Sequence, residues 1–180
     1  KKCIEITTSS SLSTGVPLYV HCNPITAGGY ETQRIGNTVN GLSLSYRFIL
    51  SASNNETNNC AVRVVFVYDR NNQGELPFYY DVFQATTVTA LISREAEVKG
   101  RFQILGEQLF VFGDSDGGAQ NCKFLKGYIP LKGKPSVWDS TGDPTYADME
   151  KGTVFAIFLS ENNAYTITVS GRSRYTYADM

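Results

Sequence analysis

The sequence predicts an all-β sandwich. Short apolar segments alternate with a two-residue period, the mark of half-buried strands. Only 18% of residues are charged, below the roughly 25% usual for globular domains, and Ser, Thr, Tyr and Val are plentiful, as pleated surfaces favour. Gly and Pro punctuate the whole chain, and no segment holds a 3.6-residue period for more than about three turns. The 180 residues suit one domain with a real core. Long connections between short strands favour a sandwich with Greek-key links or a jelly roll.

The elements follow in order. Residues 4–8, IEITT, alternate and run into the Ser-rich stretch SSSLSTG, and 16–22, VPLYVHC, form a second apolar piece. In 39–52, Leu42, Leu44, Tyr46, Phe48 and Leu50 share one face while Ser43, Ser45 and Arg47 share the other. In 61–69, AVRVVFVYD, both faces are apolar, with Val62, Val64, Phe66 and Tyr68 opposite Val65 and Val67, so this strand is expected to be covered on both sides. It ends in the polar stretch DRNNQG, a strand-ending turn. Residues 79–99 hold the one place for helix, a turn at 80–84 and another at 86–92. The β-branched run TTVTALI opposes anything longer. Residues 102–112, FQILGEQLFVF, carry Gly106, which predicts a bulge or bend. Strands are then expected at 122–131, at a short edge piece near 136–139, at 153–160 and at 164–175. The pentapeptide TYADM occurs at 145–149 and 176–180, too short for a repeat architecture.

Chemistry finds little support. Triad hydrolases need a basic histidine. The one histidine, His21, sits in an apolar strand segment and reads as a strand histidine bonded to backbone, with a Cys22/His21 pair or lone acid-base role as the sharper reading. Phosphate loops and dinucleotide fingerprints are absent, and no pair of carboxylates stands out, so no enzyme is expected. No cofactor is expected either. Asp114 and Asp116 open a calcium-loop pattern that no later acid closes, so a structural calcium is the weaker reading beside a polar turn. Cys3, Cys22, Cys60 and Cys122 are widely spaced, which predicts free, buried thiols in a reducing compartment. A sequon at Asn55-Glu56-Thr57 is a short pattern that chance supplies often.

The net charge of −1 gives no overall basic character. Basic residues are scattered, each read as a solvated strand face or an ion pair. Lys1 and Lys2 differ: they are read as the end of a basic segment expected upstream, and as nucleic-acid contacts. No apolar run is long enough to span a membrane. Tyr residues outside core positions suit interfaces or sugar stacking.

Several phrases, in order, resemble viral single jelly-roll coat proteins: ETQRIGNTV, RFILSA, RVVFVYDRNNQGELP, RFQILGEQLFVF, CKFLKGYIPLKG and KGTVFAIFLSENN. The likeness is to small satellite viruses of the satellite tobacco necrosis virus kind and to circular, Rep-encoding single-stranded DNA viruses. It covers roughly residue 30 to the end. It implies an eight-stranded jelly roll over 1–180, with two four-stranded antiparallel sheets, BIDG and CHEF. The implied strands are B at 3–8 continuing at 16–22, C at 38–52, D at 61–70, E at 102–112, F at 122–131, G at 135–139, H at 153–160 and I at 164–175.

It also implies a self-assembling T=1-like icosahedral shell around a single-stranded genome, held through an Arg-rich arm upstream of residue 1. The subunit would belong to a virion assembled in the host cell, with a host receptor or glycan as a further partner. Subunit contacts are expected at Asp69, Arg70, Tyr79, Tyr80, Trp138 and Tyr146, with Asp69 and Arg70 pairing together or across an interface. The alternative is a carbohydrate-binding jelly roll in which Tyr side chains and Trp138 stack on sugars.

Overall fold

The computed structural model describes residues 1–52, 60–72, 74, 76–91, 100–113, 121–139, 144–161 and 166–180. Two antiparallel sheets pack face to face. The strands are β1 Lys2–Leu12, β2 Leu18–His21, β3 Thr38–Ala52, β4 Cys60–Asp69, β5 Phe102–Phe112, β6 Asn121–Trp138, β7 Met149–Lys151, β8 Thr153–Ser160 and β9 Ile167–Asp179; one helical turn, α1, spans Tyr79–Val82. One sheet runs β1-β9-β3-β6-β7 and the other β2-β8-β4-β5. Lettered in chain order without β7, these are the B-I-D-G and C-H-E-F sheets of a jelly roll.

The expected strands are found with shifted bounds, but C, D and E become D, E and F while H and I keep their letters, and β7 makes one of the two expected four-stranded sheets five-stranded. The piece expected as a single strand B is two strands in different sheets. Between Leu12 and Leu18 the chain turns at Gly15, whose N–H donates to the Ser160 carbonyl at 3.0 Å, and crosses from β1 to β2. The expected F and G merge into β6, because the ladder to β3 resumes beyond the left-handed pair Lys132 and Gly133. The register passes from Gly41↔Lys134 to Ser43↔Pro130, leaving Leu42 out of the ladder. That bulge inverts the alternation, so Val39 and Gly41 face inward with Leu44, Tyr46, Phe48 and Leu50, and Leu42 leaves their face. A second bulge lies at Leu105–Gly106, where Phe66 pairs with Gly106 and Val67 with Ile104.

The main core lies between the sheets, where Phe48, Phe66 and Phe158 interdigitate; Tyr46 stacks on Phe66 with ring centres 4.2 Å apart. A second apolar cluster covers the other face of β4 and β8. There Val65, Val67, Phe155 and Ile157 meet Tyr79, Val82, Phe83 and Val88 of the connection after β4. This explains the doubly apolar pattern of 61–69: its second cover is the chain's own connection. Among the described residues helix is confined to α1, whose entry is fixed by the Phe78 N–H donating to the Asp81 carboxylate at 2.8 Å; residues 86–91 carry none. All four cysteines are free, Cys22 and Cys60 fully buried and Cys3 and Cys122 half-buried. The two TYADM copies differ: the first lies in the turn leading into β7, the second in β9 with Tyr177 in the core. The sequon at 55–57 lies outside the described residues.

Candidate functional site

Most side chains singled out from the sequence prove structural. Asp69 is fully buried at the end of β4. It pairs with Arg101, not Arg70: Arg101 Nε donates to Oδ1 at 3.0 Å and Nη2 to Oδ2 at 2.9 Å. The Asn71 N–H adds a third bond, at 3.0 Å. Arg70 points into solvent and donates to the Gly100 carbonyl at 3.1 Å. Asn72, also buried, donates to the Tyr146 carbonyl at 2.6 Å. The DRNN stretch therefore ties three connections together. Tyr79 is buried against Phe83, and Trp138 is buried beneath the Arg34 guanidinium, 4.8 Å from its ring centre. Of the expected contact set, Asp69, Tyr79 and Trp138 are thus buried within the chain. Arg70 and Tyr80 remain exposed; Tyr146 is half-buried beside His21.

Lys2 is likewise committed. Its ammonium pairs with Asp179 at 2.9 Å and donates to the Gln33 carbonyl at 2.9 Å. Lys1 is exposed. Asp114 and Asp116 lie outside the described residues. Among the described residues no group of three or more His, Cys, Asp or Glu side chains could hold a metal.

His21 joins a polar knot at one end of the sandwich. Asn23 Oδ1 accepts from the Val154 N–H at 2.8 Å and lies 3.1 Å from His21 Nε2, so the imidazole carries its proton on Nε2. The partner is thus a side chain, not the backbone expected. Asn23 Nδ2 donates to Ser136 Oγ at 3.0 Å and to the Gly152 carbonyl at 2.9 Å. Cys22 does not pair with His21: its S–H donates to the Val20 carbonyl at 3.4 Å, and burial pushes its thiol up to about 12. Burial depresses the His21 pKa to about 4, against a smaller opposing effect of the Asn23 bond.

The folded pKa lies below the unfolded value of about 6.5, so the unfolded chain takes up the proton first. Stability is then complete above pH ~6.5 and falls as pH drops toward 4. At about 1.4 kcal/mol per tenfold, the loss reaches about 3 kcal/mol. Urea unfolding between pH 4 and 7 checks this: the native chain should lose stability over that window and His21→Gln should lose little. Equal slopes would contradict it.

The exposed face of the five-stranded sheet presents a different surface, a groove of about 770 Å³. Strand register sets its residues in rows. Thr7 lies opposite Arg172, Arg172 opposite Arg47, and Arg47 opposite Lys126, so three cations cross β9, β3 and β6 in line. All three are exposed, and none forms an ion pair with a described residue. On one flank Ser45 lies between Arg174 and Tyr128, with Arg174 neutralised by Glu5, to which its Nε donates at 2.8 Å. On the other, Ile49 lies opposite Phe124. Phe124 is 72% exposed and Tyr128 65%. Sequence reasoning scattered these cations. The signal within reach was Phe124, Lys126 and Tyr128 at two-residue spacing, which places them on one face of a strand.

No family profile and no curated protein matches the chain. Among solved structures it is similar to a chain of broad bean stain virus, at 11% identity and a TM-score of 0.42, over 98% of this chain and 90% of that one. It is also similar to a chain of infectious bursal disease virus, Gx strain, at 10% identity and a TM-score of 0.30, over 95% of this chain and 32% of that one.

Proposed function

We propose that this chain is a structural coat subunit that self-assembles into a small, T=1-like icosahedral shell around a single-stranded viral genome, without catalysis or cofactor. One observation carries the reading: the jelly-roll core is closed, yet large apolar side chains stand in water around one sheet. Leu109 and Val111, each 54% exposed, project from β5, an eleven-residue edge strand whose outer hydrogen-bonding side is unpaired by any described strand. Phe78, Tyr80 and Leu91 stand out from the connection covering the same sheet. Long edges with apolar side chains pair with other chains unless covered. Repeated heterologous contacts with closing symmetry cover them in a shell. Sugar binding, the other reading, draws no support from Trp138, which is buried.

Sedimentation velocity tests the assembly. The purified chain should give a discrete, fast-sedimenting species as concentration rises, and Leu109→Lys with Val111→Lys should hold it at the subunit. A native chain that stays monomeric at every concentration would overturn the reading.

A further inference from the structure

We propose that the exposed face of the five-stranded sheet binds single-stranded nucleic acid directly, with phosphates along Arg172, Arg47 and Lys126 and bases stacked on Phe124 and Tyr128. The inference deepens the shell reading and rests on it only for which polymer the face meets.

Directly opposed like charges destabilise a sheet. Here Arg172↔Arg47 and Arg47↔Lys126 place two such contacts side by side, with Thr7 rather than an acid at the end of the row. Glu5, a carboxylate of the groove lining, is held by Arg174 in the neighbouring row and acts on Arg172 only at longer range. Burial cannot explain the arrangement, because all three cations face water. An anionic polymer would neutralise them together and release its counterions.

Charge alone suits any polyanion. The aromatics narrow the class. Phe124 and Tyr128 stand two residues either side of Lys126 on β6, roughly 13 Å apart on strand geometry, and they leave most of their surface exposed. Rings flanking a cationic track are the stacking platforms of single-strand binders, tolerant of sequence because every base has a π-face. Sulfated glycans carry no π-face of their own, although their sugar rings can pack on aromatics, so the aromatic variants and heparin competition decide between the two.

The test titrates the whole chain with fluorescein-labelled oligothymidylate, read by anisotropy across a salt series. Arg47→Gln, Lys126→Gln and Arg172→Gln should each weaken binding and each lower the slope of log K against log salt by about 0.7. The triple variant should lose on the order of a hundredfold at moderate salt. Phe124→Ala and Tyr128→Ala should weaken binding by roughly tenfold or more while leaving the slope unchanged. The triple variant should melt at or above the native temperature, since it relieves repulsion; if it fails to fold, Arg47→Gln alone reads the slope.

Absent binding by the native chain, or full binding by the triple variant, would overturn the proposal. So would heparin oligosaccharides that compete equally, with aromatic variants unaffected, which would make the face a sulfated-glycan site. Particle formation is followed in parallel. Binding without particles sinks the shell reading and leaves this one; particles without binding do the reverse.

Discussion

Gly152→Ala should remove a large share of the subunit's stability. Gly152 lies between β7 and β8 with φ at +79°, a left-handed conformation that costs an L-residue about 1–2 kcal/mol. A Cβ there would overlap the Pro135 carbonyl oxygen and sit 2.8 Å from Ser136 Cα, both of them backbone. Neither can swing aside, because Pro135 and Ser136 of β6 are held in the ladder opposite Asn40 and Val39 of β3. The same glycine joins the polar knot. Its N–H donates to the Asp69 carbonyl at 2.9 Å, and its own carbonyl accepts from Asn23 and, at 2.7 Å, from Ser136 Oγ. Moving the backbone to relieve the clash breaks these bonds. The combined cost should exceed ~4 kcal/mol, against a domain stability of about 5–15 kcal/mol. Soluble yield and thermal unfolding check it: a variant that melts within a few degrees of the native chain would show that the turn tolerates a side chain.

Asp69→Ala is the second large effect. The carboxylate is fully buried and accepts from Arg101 twice and from the Asn71 N–H. Its removal strands a partly buried guanidinium and a backbone donor. Breaking a buried pair from one side costs about 3–5 kcal/mol. Arg101 keeps some solvent access, so the lower end, about 3 kcal/mol, is expected. Arg70→Ala, at the very next residue but exposed, should cost well under 1 kcal/mol. Equal effects of the two substitutions in urea unfolding would contradict this assignment.

These two positions also show what sequence reading reaches. The alternation in 39–52 and 61–69 marks strands because a local period encodes which side is buried. It cannot show that Asp69 closes on Arg101, thirty-two residues on, because that contact depends on where the connection returns. The shift in strand letters has the same origin. Nothing local in SSSLSTGVP says that the chain changes sheet there, and the Lys132–Gly133 bend looks like a strand end until its register with β3 is known. The cationic row was the least legible. Arg47, Lys126 and Arg172 become neighbours only through the register of three strands, and a one-residue slip at the Leu42 bulge would move their opposing partners to the other face. Trp138 lies in a piece that the sequence reads as a short edge strand, and the Arg34 that covers it comes from a distant segment.

If the proposed shell holds nucleic acid on its five-stranded sheet, that sheet forms the inner wall. An electron-microscopy reconstruction of the assembled chain tests it most directly. It should show a closed icosahedral particle with Arg47, Lys126 and Arg172 lining the lumen and the β5 edge buried between subunits. Open filaments, a solution of single subunits, or a shell that turns the cationic row outward would contradict it.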